Sequence, residues 1–135
     1  MVKVFVYGTL MRGRINHSYY LSKSKFLGEA ELEGYAMYCV SSFPGIVTEQ
    51  SEKVKGEVYS VDEETLRKLD NLEGEGTLYI RKMVDLQLNN ETIQGFVYIW
   101  NYTITELCLT TLEKRCIKWI LINNMCGMPV MAQIF

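Results

Sequence analysis

The reading of this chain turns on residues 4–14, VFVYGTLMRGR. Val4 to Tyr7 are apolar or aromatic without alternation, so they read as part of a strand over residues 2–7, buried on both faces of a sheet. The run then breaks into Gly8 and Thr9, with Arg12 and Arg14 close behind. A strand that stops in a glycine turn leaves bare backbone N–H groups, and such groups near positive charge suit an anion. A glycine after a strand is also an ordinary turn. The stretch lacks the G-x-x-x-x-G-K of a phosphate loop and the G-x-G-x-x-G of a dinucleotide site, which disfavours nucleotide binding.

Working outward, strand-like runs recur at residues 26–32, 35–40, 45–48 and 53–61, separated by Gly34, Ser41, Ser42, Pro44 and the polar stretch around Gln50. Residues 79–88 and 92–100 read as a hairpin, because the Asn89-Asn90 pair between them tolerates positive φ. Between the two sets of strands Asp62 makes a good helix N-cap, with Glu63 and Glu64 in the first turn. The helix is expected over about 63–72 and is ended by Gly74.

That helix poses a chemical question. Glu73 falls on the face of Leu66 and Leu69, while Arg67, Asp70 and Asn71 fall on others. A carboxylate aimed inward is costly unless it is paired, and burial raises its pKa towards neutrality. Such a group suits proton transfer. The plainer alternative is that Glu73 sits at a frayed helix end and turns outward. His17 with Cys39 is a weak candidate nucleophile pair, since one histidine and one thiol fix no geometry. Tyr79 and Arg81 share a strand face, as many pairs do that only line a sheet.

Composition bounds the rest. At 135 residues one domain is expected. A net charge of −2 is too small to draw the whole molecule to nucleic acid or membrane. The charge is uneven, because Lys3, Arg12, Arg14, Lys23 and Lys25 precede the first acid. Cys39, Cys108, Cys116 and Cys126 show no C-x-x-C spacing and there is one histidine, so a zinc site is not expected. Reduced thiols and the absence of a signal-like start suggest the cytoplasm. From Thr105 to Asn123, Leu109, Leu112, Cys116, Trp119 and Ile120 share a helical face, ahead of the apolar ending MCGMPVMAQIF. Residues 104–135 are therefore expected to form a helix and tail, either appended to a domain of residues 1–103 or part of it.

Taken in order, Tyr7-Gly8-Thr9-Leu10, Arg12-Gly13, Asn16-His17, Phe43-Pro44-Gly45, Gly56-Glu57-Val58-Tyr59, Leu69-Asp70-Asn71-Leu72-Glu73-Gly74 and Tyr79-Ile80-Arg81 resemble the γ-glutamylcyclotransferase-like (AIG2-like) proteins. The resemblance covers about residues 2–102. It implies an α+β fold, a small mixed β-barrel with flanking helices. It also implies an enzyme that cyclises a γ-glutamyl group to 5-oxoproline, with Glu73 as acid/base and Tyr7, Gly8, Thr9, Leu10 and Tyr79 holding the substrate. The anion of the first loop would then be the α-carboxylate of that group. No metal or cofactor is implied, the partner is a small γ-glutamyl substrate rather than nucleic acid or membrane, and a monomer or homodimer is expected. Two other readings stand beside it: a non-catalytic protein that keeps the carboxylate pocket, and a scaffold whose apolar tail docks a partner.

Overall fold

The computed structural model describes residues 1–8, 10–40 and 43–102. Five strands close into a barrel: β1 (Val2–Val6), β2 (Lys25–Val40), β3 (Phe43–Val61), β4 (Tyr79–Leu88) and β5 (Glu91–Trp100), in the spatial order β1-β3-β2-β4-β5. Every neighbouring pair is antiparallel except β1 and β5, which meet in parallel at Val4 and Phe96. The sheet is therefore mixed, as the resemblance implied. A short helix α1 (His17–Tyr20) lies in the connection from β1 to β2, and α2 (Glu63–Glu73) links β3 to β4.

Alternate residues of β1 serve two cores. Phe5 packs with Ala30, Leu32, Ile46, Val54, Val58, Leu86 and Val97, all of them strand residues on the inner face. Val4 and Val6 pack instead with Leu21, Tyr59, Val61, Leu69 and Tyr98, and Leu66 and Leu72 lie against the same cluster. This second layer is the seat of α2. A strand buried on both sides has no room for polar residues, which is why VFV reads as a continuous apolar run.

Two expectations about boundaries change. The runs at 26–32 and 35–40 are one strand, β2, and those at 45–48 and 53–61 are one strand, β3. The breaks are absorbed as an irregularity: register passes from Glu33–Lys53 to Tyr35–Thr48, so one residue of β2 faces four of β3. Gly34, at φ 85°, takes the backbone conformation that lets the ladder resume beyond the bulge. Turn residues thus bend a long strand here without ending it. The β4–β5 hairpin turns at Asn89 and Asn90, whose φ values of 51° and 65° match the sequence expectation.

The helix α2 forms as its ends dictate. The Thr65 N–H donates to Asp62 Oδ1 at 2.7 Å, and Gly74 closes the helix in the left-handed conformation with its N–H directed to Asp70 and Asn71 carbonyls. Glu73 is the last helical residue, one beyond the expected end. The expected helix at 105–123 and the tail lie outside the described residues. No helix among the described residues is long and apolar enough to cross a membrane.

Candidate active site

The site is built where β1 runs out. Phe5, Val6, Tyr7, Gly8 and Leu10 line one side of a small cavity, Pro44 at the start of β3 and Tyr98 of β5 line another, and Glu73 completes the wall from the end of α2. Its free volume is about 20 Å³, room for about one water. Of the sequence-derived site residues, Tyr7, Gly8, Leu10 and Glu73 meet here. Tyr79 is buried behind them, with its hydroxyl donating to the Pro44 carbonyl at 2.7 Å, and it is not among the lining residues. Thr9 lies outside the described residues.

Glu73 is turned inward and is only 7% exposed, against the alternative of an outward-turned side chain at a frayed end. Its Oε2 has no hydrogen-bond partner among the described residues. Burial without compensation pushes its pKa up to about 8. The negative end of the helix dipole, at whose terminus it sits, opposes ionisation in the same sense. The carboxyl is therefore poised to exchange a proton near neutral pH.

Tyrosines surround it. The Tyr7 hydroxyl donates to the Tyr98 carbonyl at 2.7 Å, and burial, then the nearby Glu73 charge, holds Tyr7 well above the usual phenol range, against a weaker pull from the Ile46 N–H. Tyr79 and Tyr98 are raised too, first by burial. These phenols stay protonated and serve as fixed donors and walls, which leaves Glu73 as the group in the cavity wall that can change charge.

One turn of helix before Glu73, Asp70 accepts from the Tyr98 hydroxyl at 2.7 Å and from Arg81 Nη1 at 2.6 Å. The sequence reading placed Asp70 on another face of α2 than Glu73. It is in fact half-buried, and it ties the helix to β4 and β5. Tyr98 was not anticipated as a wall of the site; the available signal was the i, i+3 spacing of Asp70 to Glu73, which puts both near one edge of the helix. His17, the other half of the nucleophile pair considered above, stands beside the Leu10 carbonyl and Tyr59, while the Cys39 side chain lies outside the described part of the chain. Among the described residues no cluster of His, Cys, Asp and Glu could hold a metal ion.

A family model described as gamma-glutamyl cyclotransferase, AIG2-like, matches residues 4–116. The chain belongs to this family. Membership places it among enzymes of the γ-glutamylcyclotransferase type. A Methanocaldococcus jannaschii protein with the provisional name gamma-glutamylcyclotransferase is 44% identical over 103 residues, covering 74% of this chain and 85% of its own length. The gamma-L-glutamyl-butirosin B gamma-glutamyl cyclotransferase of Niallia circulans is 35% identical over 107 residues, covering 75% of this chain and 68% of its own. The crystal structure of an AIG2-like protein from Mus musculus superposes with a TM-score of 0.71 at 30% identity, covering 81% of this chain and 82% of that one. Family membership and the barrel agree with what YGTL and LDNLEG implied.

Proposed function

We propose that this chain cyclises the γ-glutamyl group of a small substrate to 5-oxoproline and releases the attached amine or amino acid. The observation that carries the reading is Glu73, a buried carboxyl with an unpartnered oxygen in the wall of a cavity whose opposite side is the glycine turn after β1. A protein that only bound an anion would gain nothing from a carboxyl there.

In the proposed reaction the substrate's α-amino nitrogen attacks its own γ-carbonyl carbon, forming the ring C–N bond. The bond from that carbon to the departing nitrogen then breaks. The α-ammonium nitrogen sheds two protons in all, one before attack and one from the ring nitrogen after it; Glu73 relays them in turn to the departing nitrogen, which leaves as an ammonium, so the carboxyl ends as it began. Positioned acid/base groups of this kind contribute typically ~10²–10⁴ in rate. Backbone N–H groups of the Gly8–Leu10 turn hold the α-carboxylate, keeping the folded conformer in which the amine reaches the carbonyl. The chemistry as written requires neither electron transfer nor an added co-reactant.

The cavity's free volume is smaller than a glutamyl group, so binding must widen it. Pro44 is the natural place to give way, because it lines the cavity and lies close against Gly8: a Cβ built on Gly8 would stand 3.2 Å from Pro44 Cγ. The departing amine lies beyond this pocket. The test is to incubate the protein with a panel of γ-glutamyl compounds, including γ-glutamyl amino acids and γ-glutamyl-lysine, and to detect 5-oxoproline by mass. Turnover of at least one compound supports the proposal. Binding of 5-oxoproline without turnover on any of them would favour the binding-protein reading.

A further inference from the structure

Among the described residues Glu57 is the second buried carboxylate, 5% exposed, and nothing in the proposed chemistry uses it. It projects from β3 opposite Val6, the last residue of β1. Its Oε1 accepts from the Arg12 backbone N–H at 2.8 Å and from the Tyr59 hydroxyl at 2.9 Å, and its Oε2 stands 3.5 Å from Arg12 Nε. The next link runs through α1. His17 Nδ1 lies 3.1 Å from the Leu10 carbonyl and 3.5 Å from the Tyr59 oxygen. A carbonyl can only accept, so Nδ1 carries the proton, and the Tyr59 proton is left for Glu57.

These contacts form a strap across the first loop. Leu10, which lines the cavity, is tied at its carbonyl by His17. Arg12 is tied at its N–H by Glu57, and Tyr59 joins the two anchors. The Arg12 guanidinium is further fixed over the Phe26 ring, 3.8 Å from its centre. Within the loop the Met11 N–H donates to the Gly8 carbonyl at 3.1 Å, so fixing Arg12 also fixes the turn at Gly8. A loop whose backbone donors must converge on one carboxylate has to be held in a single geometry before substrate arrives.

We propose that Glu57 is a positioning residue for the carboxylate-binding turn, acting through its reach to the Arg12 N–H rather than through its charge. This rests on the reading of the Gly8–Leu10 turn given above. The pattern of contacts makes reach and charge separable. Oε1 makes both hydrogen bonds, and an amide oxygen in its place can accept both. Glu57→Gln therefore keeps the strap and loses the charge, whereas Glu57→Asp keeps the charge and falls one methylene short.

The experiment measures 5-oxoproline affinity by calorimetry, and amide hydrogen exchange by residue, in the wild type and both variants. Expected is a dissociation constant within about threefold of wild type for Glu57→Gln, about tenfold or more weaker for Glu57→Asp, and faster exchange at residues 10–12 in the Asp variant with the barrel strands unchanged. The reverse order, Gln weakened and Asp preserved, would overturn the proposal in favour of simple charge pairing with Arg12. Two unchanged variants would overturn it outright, as would exchange accelerated throughout the barrel, which marks a general support of the core. If the wild type itself binds no 5-oxoproline, the functional reading fails on its own account, and the exchange at residues 10–12 still decides whether Glu57 holds the loop.

Discussion

Glu57 and Glu73 stand on either side of the first loop, almost equally withdrawn from water, and the fold treats them in opposite ways. Glu57, on β3, is met by a backbone N–H, a phenol and a guanidinium. Glu73, at the end of α2, has an oxygen with no partner among the described residues and a pKa pushed up to about 8. Burying a carboxylate is tolerable when donors replace the lost water, and the carboxylate then behaves as a structural tie. Left uncompensated, it becomes a group that prefers its proton and can part with it near neutral pH. The two glutamates share a residue type and a degree of burial, and their partners are what separate the proposed scaffold role of one from the proposed chemistry of the other.

The largest expected effect tests that contrast directly. Glu73→Gln keeps size but cannot accept a proton, so turnover on a verified γ-glutamyl substrate should fall by roughly three orders of magnitude, within the usual range for an acid/base group. Affinity for 5-oxoproline should survive. In the wild type kcat/KM should climb with pH, reach half its limiting value near pH 8 and level off above that, because the free enzyme's base must be ionised to act. Stability should run the other way. The folded pKa of about 8 lies above the ordinary 4.5, so between those values the folded state holds a proton that the unfolded state has released, and stability falls as pH rises. Glu73→Gln mimics the protonated form, so its melting temperature should match the wild type near pH 4.5 and exceed it at pH 8 and above, by the equivalent of a few kcal/mol at most. A folded Gln variant with near-normal turnover would put the base elsewhere, with His17 the next residue to examine.

The second effect is steric. Gly8 is not in the left-handed region, so the dihedral strain that a glycine turn suggests is not what constrains it. The neighbouring Pro44 ring is: an added Cβ already stands 3.2 Å from Cγ, and the branched methyls of valine would reach into the space the substrate must enter. Gly8→Val should weaken 5-oxoproline binding by about a hundredfold or more, read by calorimetry, in a protein whose circular dichroism is unchanged. Equal affinity in the two proteins would remove the carboxylate from this turn.

How much of this was legible in the sequence follows from how local each cause is. The helix α2 was readable nearly to the residue, because its cap, its apolar spacing and its terminal glycine all lie within thirteen positions, 62–74. The Asn-Asn hairpin was readable for the same reason. Helix periodicity put Glu73 on the face of Leu66 and Leu69 but left open an outward turn at a frayed end, which the structure closes. Glu57 could not be singled out that way, since its meaning depends on an Arg12 N–H 45 positions away in sequence, and no local pattern brings β3 beside the first loop. Gly34 misled because a glycine reads as a strand end, whereas the long pairing of β2 with β3 continues past it. Tyr98 entered the site through barrel closure, which is a property of the whole chain.

A smaller effect concerns how α2 is moored. Asp70 links the helix to Tyr98 and Arg81 through bonds of 2.7 and 2.6 Å, and both ion-pair partners are about a quarter exposed. Water partly screens such a pair, so its direct contribution to stability is modest. Asp70→Asn leaves the Arg81 charge without its carboxylate and loosens Tyr98, which lines the cavity. A drop of about three- to tenfold in kcat/KM is expected, with the midpoint of the pH profile unmoved, because Glu73 keeps its burial. A shift of that midpoint by a full unit would mean that Asp70 sets the Glu73 pKa, and would blur the contrast between partnered and unpartnered carboxylates.

The smallest effect is expected from the end of the chain. The barrel closes entirely among the described residues, and its last strand is secured just beyond Trp100, where the Asn101 N–H donates to the Leu78 carbonyl at 3.0 Å and its side-chain amide to the Thr77 carbonyl at 2.9 Å. Both residues lie in the turn that carries α2 into β4, so the end of β5 is latched to the same segment that fixes Glu73. The family match itself stops at residue 116. Removing residues 125–135 should therefore leave the melting temperature within a few degrees of wild type, with 5-oxoproline affinity and turnover within about twofold. The comparison is a melting curve and a calorimetric titration on the shortened and full chains. Loss of folding would show that MCGMPVMAQIF belongs to the core, and that what seats Glu73 extends beyond the barrel and its latch.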